Sequence, residues 1–584
     1  MTNFAAWLTR WRRMMVPFLD WIGELKDPGV LRADLIAGIT VALVLVPQSM
    51  AYAQLAGLPP YIGLYASFVP VILASFMGSS RQLATGPVAV VSLMTAAALQ
   101  PLATASPEGY LVYAAVLALL IGVFQLALGL FRLGVLVDFL SHPVVVGFTN
   151  GAAIIIATSQ LSKFFGVQVE AAEQQYETVW RVLVEASQNT HMPTLVMGLF
   201  ALALMILLKK FLPKIPGVLT AVVVTTVIAY VIGFNEMGGK VVGEVPKGLP
   251  DLSVPKFGID AVLQLMTAAM TIALIGFMEA VAIAKAMAAQ TRQRLDTNQE
   301  LVGQGIANIA SGMFQGYPVS GSFSRSAVNL GAGAVTGFAS VVTGLVVAAT
   351  LLFMTPLLFH LPQATLAAII VMAVINLVKI EPIKHAMKVQ KHDGIVAIIT
   401  FVLTLILAPH LEMSIMVGVV LSLGLYLYRT MRPRFSELSL HPDGTLRDAD
   451  VFDLPRCETI SVLRFDGSLY FANTGYFENR VLSHVAAKPG LKFLIIDAEG
   501  INEIDATGED MLHVLVQRLK VAGVQLLFAR AKKQIMDIFQ RSHFVDQVGE
   551  QHFFRTRTEA ILFARANLGE QADTVVPLLK PGIA

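Results

Sequence analysis

Between Asp34 and Thr430 the sequence runs in apolar stretches separated by short polar connections. Most are about 17–25 residues long, and about 20 helical residues cross a hydrocarbon layer of roughly 30 Å. They lie at 34–53, 60–78, 86–101, 110–131, 138–162, 192–210, 216–234, 259–285, 297–314, 324–333, 335–358, 362–379, 391–409 and 411–430, fourteen in all. A chain patterned this way cannot close around one water-soluble core. Charge is segregated to match: of 42 basic and 40 acidic residues, 38 lie from Arg432 onward. Over the whole chain 14% of residues are charged, against about 25% in soluble domains. The pattern predicts a membrane-embedded region followed by a soluble domain of about 150 residues.

This excludes a soluble enzyme, a secreted disulfide scaffold and a disordered chain. A net charge of +2 gives no basic surplus for nucleic acid. A single cysteine, Cys457, forms neither an internal disulfide nor a metal site. No nucleophile–base pair or metal-ligand cluster stands out, so neither an enzyme nor a cofactor is expected. Residues 1–32 carry Arg10, Arg12 and Arg13 but no short apolar run ending in a cleavage site. The first span is expected to act as its own membrane signal.

Basic residues set the orientation. With the N-terminus inside, the inner connections hold Arg81, Arg132, Lys209, Lys210, Lys214, Lys285, Arg292, Arg294, Lys379, Lys384, Lys388 and Lys391. The outer ones hold Lys163, Arg181, Lys240, Lys247 and Lys256. Both termini are therefore expected in the cytoplasm, with the chain in a cell membrane, a bacterial inner membrane above all. The short, interrupted segments are the third and the tenth, each the third of a set of seven. Matching broken segments point to an inverted-repeat transporter with its site near mid-membrane. The predicted fold class is an α-helical polytopic membrane protein, fourteen segments in a 7+7 inverted repeat, followed by a cytoplasmic α/β domain. The expected divisions are an N-terminal segment (1–33), the transmembrane domain (34–430), a linker (431–455), the α/β domain (456–570) and a tail (571–584).

Four clusters in the membrane region carry chemistry. Pro47 breaks the hydrogen-bond ladder of the first span, and Gln48 and Tyr52 follow on one face. Both offer donors that can replace water around an anion. Thr85-Gly86-Pro87-Val88-Ala89 opens the short third segment. A helix beginning there presents free N–H groups and a positive dipole end. Ser322-Phe323-Ser324-Arg325 opens the tenth segment in the same way, with serines as candidate caps and a full positive charge. Arg suits oxyanions through paired donors. Glu279 is a carboxyl inside an apolar helix with no Lys or Arg one turn away, and is read as the only acid deep in a span. An intramembrane acid is a proton-relay candidate. Glu300 is expected to be a cap or a group of the inner gate. Plainer alternatives are interhelix hydrogen bonding for Gln48 and Glu279, a kink at Gly86, and backbone bonding for Arg325.

In the tail, 460–466, 493–497 and 524–529 read as buried strands, with amphipathic helices near 476–487, 508–522 and 532–542. Thr507, in Asp505-Ala506-Thr507-Gly508, is read as a helix cap and a possible phosphate acceptor.

These clusters resemble the SulP (sulfate permease) family of anion transporters and exchangers, which includes plant sulfate transporters and animal pendrin and prestin. Its signature is matched by Pro60-Tyr61-Ile62-Gly63-Leu64-Tyr65-Ala66-Ser67 and Gly78-Ser79-Ser80-Arg81, with Ala74 smaller than the pattern's usual residue. Pro47-Gln48, Thr85-Gly86-Pro87, Glu279 and Ser322-Phe323-Ser324-Arg325-Ser326 fall in the family's order, and the tail resembles its STAS domain. The resemblance implies core and gate domains, a homodimer, and an anion between the third and tenth half-helices. Gln48, Tyr52, Thr85, Gly86, Val88, Ala89, Ser322, Phe323, Ser324 and Arg325 would then bind it. Glu279 resembles the carboxyl linked to proton coupling, so the expected activity is proton-coupled sulfate uptake. Bicarbonate, chloride or dicarboxylate transport, and uncoupled exchange or a channel, are the alternatives. The expected partners are a small anion, protons, the bilayer and a possible cytoplasmic regulator at the STAS domain. The STAS-like motif carries Thr507 where its relatives have a phosphorylatable Ser.

Overall fold

The computed structural model describes residues 16–102, 107–135, 141–170, 172, 174–212, 215–255, 258–375, 377–568 and 578–579. Arg10, Arg12, Arg13, Lys214, Lys256, positions 138–140 and most of 571–584 lie outside the described residues. The chain divides into two units, 1–422 and 423–584.

Each expected apolar segment coincides with helix: α1 (Pro28–Leu55), α2 (Pro60–Met77), α3 (Ala89–Leu99), α4 (Pro107–Leu130), α5 (His142–Ser159), α6 (Met192–Phe211), α7 (Gly217–Val231), α8 (Ile259–Thr291), α9 (Thr297–Met313), α10 (Phe323–Gly331), α11 (Phe338–Leu358), α12 (Gln363–Ile375), α13 (Lys391–Leu407) and α14 (Leu411–Thr430). Eight helices among the described residues are long and apolar enough to cross a membrane alone. Short strands precede both broken segments: β1 (Ala84–Gly86) before α3 and β2 (Ser320–Ser322) before α10.

Packing obeys the two-fold repeat that segment order alone suggested. Helix α1 packs on α11 as α8 packs on α4, and α2 on α11 as α9 on α4. The same exchange relates α10 on α1 to α3 on α8, and α5 on α13 to α12 on α6. Small residues allow the close approaches. A Cβ at Gly122 of α4 would stand 2.5 Å from the Ile309 nitrogen of α9, and one at Gly305 would stand 2.6 Å from that of Leu126. At Gly63 a Cβ would stand 2.0 Å from the Ser49 carbonyl oxygen. That glycine lets α2 press against α1 beside Gln48.

The second unit holds a six-stranded sheet in the order β4-β3-β5-β6-β7-β8: β3 (Arg434–Leu440), β4 (Leu446–Asp448), β5 (Ile460–Asp466), β6 (Phe493–Asp497), β7 (Gln525–Ala529) and β8 (Phe553–Phe554). The β5–β8 pairings are parallel and β3 joins β5 antiparallel. Helices Thr474–Ala487, Ala506–Val521 and Lys533–Arg541 fall where amphipathic spacing put them. Strand β3 lies in the stretch expected as linker, where charge and proline hid its pairing with β5.

Candidate functional site

Strands β1 and β2 run antiparallel, pairing Ala84 with Ser322, Thr85 with Gly321 and Gly86 with Ser320. Each strand then turns into its half-helix, so the N-termini of α3 and α10 start from one crossing. Val88, the N-cap of α3, offers no side-chain acceptor. Ser322 caps α10, its Oγ accepting from Arg325 N. Gly86 has φ +148°, a conformation that favours glycine. A Cβ there would face Arg325 Nη2 at 3.3 Å.

Arg325 is fully buried. Its Nη1 donates to Gln48 Oε1 at 3.5 Å, while Nε and Nη2 have no hydrogen-bond partner among the described residues. Buried guanidinium nitrogens are normally satisfied, and here two orphaned donors lie beside two helix N-termini. The plainer reading, an Arg bonded to backbone carbonyls, does not describe this side chain. Tyr52 is buried and lies in the fields of both Arg325 and Glu279. Glu279 Oε2 is shielded from solvent and also unpartnered, and no Arg325–Glu279 ion pair is present among the described residues.

The other expected residues divide. Val88 and Ala89 are buried at the opening of α3. Thr85 points behind the site, its Oγ1 accepting from Gln304 Nε2 at 2.9 Å. Ser324 Oγ lies 3.4 Å from Ser322 Oγ on the exposed side. Phe323 is 58% exposed, its ring beneath the Lys379 ammonium at 5.9 Å, so it stands apart from the buried residues around Arg325. Thr507 belongs to the second unit. It is exposed at the start of helix Ala506–Val521, which is capped by Asp505 accepting from Gly508 N at 2.7 Å.

Sequence reading missed Tyr317, which is fully buried and bonded to Ser92 Oγ at 3.0 Å. Two further acids, both near helix starts, are more fully enclosed than Glu279: Asp34 and Glu300, at 0% and 1% exposure. Asp34 accepts from Val335 N, Thr336 N and Thr336 Oγ1. Glu300 accepts from Ser79 N and Ser80 N, both at 2.9 Å, and from Gln304 Nε2 at 3.1 Å. It does not cap its own helix, which Asp296 does. Instead it holds the Gly78-Ser79-Ser80 turn, and Gln304 carries the network on to Thr85. Asn308 continues it, donating to Gln125 Oε1 and bracketing Val319. A paired network of this kind fixes both strands of the crossing.

Half-helices that meet head-on within a bundle of membrane helices define a secondary transporter whose site lies at the repeat interface. The chain belongs to the sulfate permease family. That family's pattern matches residues 31–400, and the STAS domain pattern matches 452–560. Sulfate transporter 4.1, chloroplastic, of Arabidopsis thaliana is 36% identical, over 94% of this chain and 84% of its own. A probable sulfate transporter of Mycobacterium tuberculosis is 35% identical over 91% and 95%. Among solved structures, the murine solute carrier 26 family member A9 anion transporter, in its inward-facing state, superposes with TM-score 0.86. It is 26% identical, over 94% of both chains. The transmembrane domain of the cyanobacterial bicarbonate transporter BicA shares the fold, at TM-score 0.57 and 24% identity, over 68% of this chain and 97% of its own. The protein is a multi-pass membrane anion transporter with a C-terminal STAS domain.

Proposed function

We propose that the chain imports sulfate together with protons by alternating access. The observation that carries this reading is Arg325, wholly buried between two half-helix N-termini with Nε and Nη2 unpartnered. Gln48, Tyr52, Thr85, Gly86, Val88, Ala89, Ser322, Phe323, Ser324 and Arg325 make up the proposed binding region. In it Thr85 shapes the strand and Phe323 borders the approach. Each half-helix dipole is worth up to about 2 kcal/mol in a partly buried geometry, which offsets part of an anion's dehydration. Relatives named as sulfate transporters, alignable over nearly the whole chain, favour sulfate. Glu279 is the proposed proton carrier. It has no ion-pair partner among the described residues, so its charge can change without breaking a structural bridge.

The same reading takes the chain as fourteen spans in a homodimer of a bacterial inner membrane. The termini and STAS domain are cytoplasmic, and Thr507 is open to a regulator. The deciding experiment is uptake of labelled sulfate, bicarbonate, chloride and a dicarboxylate into proteoliposomes, with and without an inward acid gradient. Sulfate accumulation driven by that gradient is expected. Flux that ignores the gradient would replace symport by exchange or a channel, and preference for another anion would replace sulfate.

A further inference from the structure

Helix α13 has a short helix packed at each end, and the two differ in charge. At its C-terminal end Gln175 N donates to Ala408 O at 3.4 Å, which seats helix Gln175–Asn189 there. That helix carries Glu177, Arg181 and Glu185 and exposes Tyr176 and Trp180. At the N-terminal end lies helix Glu381–Val389, its Met387 packed on Gly394 of α13. No residue of this helix is buried. Lys384, His385 and Lys388 share its outer face, and Lys391 opens α13.

From Lys391 an exposed apolar stripe descends α13 through Ile395, Ile398, Val402 and Ile406. Ile380 and Val389, at the two ends of the short helix, are 60% and 69% exposed. The lysines therefore stand at the head of an exposed apolar stripe. Lys379 is not one of the group, because its backbone is tied to Asn150 and its ammonium lies over Phe323. Lys384 meets Glu381 at 3.4 Å with 64% of its side chain exposed, so that pair leaves it available.

We propose that the Lys384–Lys388–Lys391 face is a docking site for the headgroups of anionic phospholipids. Charge complementarity and continuity with the apolar stripe select this partner. Phosphate oxygens meet the ammonium groups while the acyl chains lie along Ile395 and Ile398. A juxtamembrane lysine strengthens binding to an anionic surface roughly five-fold, and salt screens the effect. The helix at the other end has two acids to one base and no such face. The site is independent of which anion is transported.

The test uses the full chain in detergent, counting retained phosphatidylglycerol and phosphatidylcholine by native mass spectrometry. Wild type is expected to retain phosphatidylglycerol in preference, less so as salt rises. Lys384→Gln, Lys388→Gln and Lys391→Gln should each weaken retention roughly five-fold, and arginine at all three positions should restore it. Arg181→Gln should leave it unchanged. If the triple glutamine variant retains as much phosphatidylglycerol as wild type, or wild type takes both lipids equally, the proposal is overturned. If the triple variant does not fold, Lys388→Gln alone and the salt dependence of wild type decide it.

Discussion

The guanidinium of Arg325 donates to the side-chain oxygen of Gln48 at 3.5 Å, joining α10 to the part of α1 beside Pro47 across 277 residues. Pro47 removes a backbone bond there, so the local course of α1 depends on side-chain contacts of this kind. Arg325→Lys keeps the charge but loses the planar fork that serves two oxygens at once. Sulfate affinity should fall by about ten- to a hundred-fold, the cost of one good charge-assisted bond of about 1.5–3 kcal/mol. Scintillation-proximity binding to purified protein measures it, and unaltered affinity would place the anion elsewhere.

Gly86→Ala should be more damaging than its size suggests. Alanine disfavours φ +148°, and its methyl would face Arg325 Nη2 at 3.3 Å. Uptake is expected to drop by about ten-fold or more, from strain of about 1–3 kcal/mol, while the elution profile of the purified protein stays that of wild type.

Glu279→Gln keeps size and polarity while fixing the uncharged form. Moving a divalent anion into a negative interior opposes about 2.3 kcal/mol per charge for each 100 mV, and co-moving protons cancel that charge. The variant should bind sulfate normally yet lose acceleration of uptake by external acid. An unchanged pH profile in proteoliposomes would leave Glu279 a structural residue.

Glu300→Ala removes the acceptor of Ser79 N and Ser80 N. Two stranded donors cost about 1–3 kcal/mol each, so the thermal midpoint in detergent should fall by several degrees. Glu300→Gln, which still offers an acceptor, should lie between the two. Equal midpoints for all three would show that the turn holds itself.

In the second unit, His484 Nε2 meets Ser461 Oγ at 2.9 Å beside Glu437 of β3 and Lys488. Burial holds the imidazole below its usual pKa; Glu437 opposes this, and Lys488, Arg456 and Arg480 reinforce it. The folded state thus prefers neutral His484, and unfolding takes up a proton once the pH drops below about 6.5. Stability from this group is present above that value and is lost as the pH falls toward the lowered one. Proteolysis within 460–497, corrected for the protease's own pH response, should rise over that window in wild type and stay flat in His484→Gln.

The membrane helices were legible because each is a local run of apolar residues, and segment edges such as Met192 and Leu411 fall where the polarity changes. The two broken segments were legible from Gly86-Pro87 and the serines around Arg325. Asp34 and Glu300 were not, because their partners lie 301 and 220 residues away and nothing local separates a buried acid from a helix cap. Tyr317 reads as an ordinary aromatic until β2 brings it to Ser92. Cys457 is 2% exposed, so native-cysteine labelling is a poor reporter of sidedness.

The ladder between Ala84–Gly86 and Ser320–Ser322 makes the spacing of the two half-helices a property of the main chain. Side chains outside the Glu300–Gln304–Asn308 network can be exchanged with the interval between the two positive poles kept. Substrate preference can therefore drift during divergence while the frame persists. A single architecture can then serve proteins named for sulfate in plants and for bicarbonate in cyanobacteria, with most of the discrimination left to a few replaceable contacts.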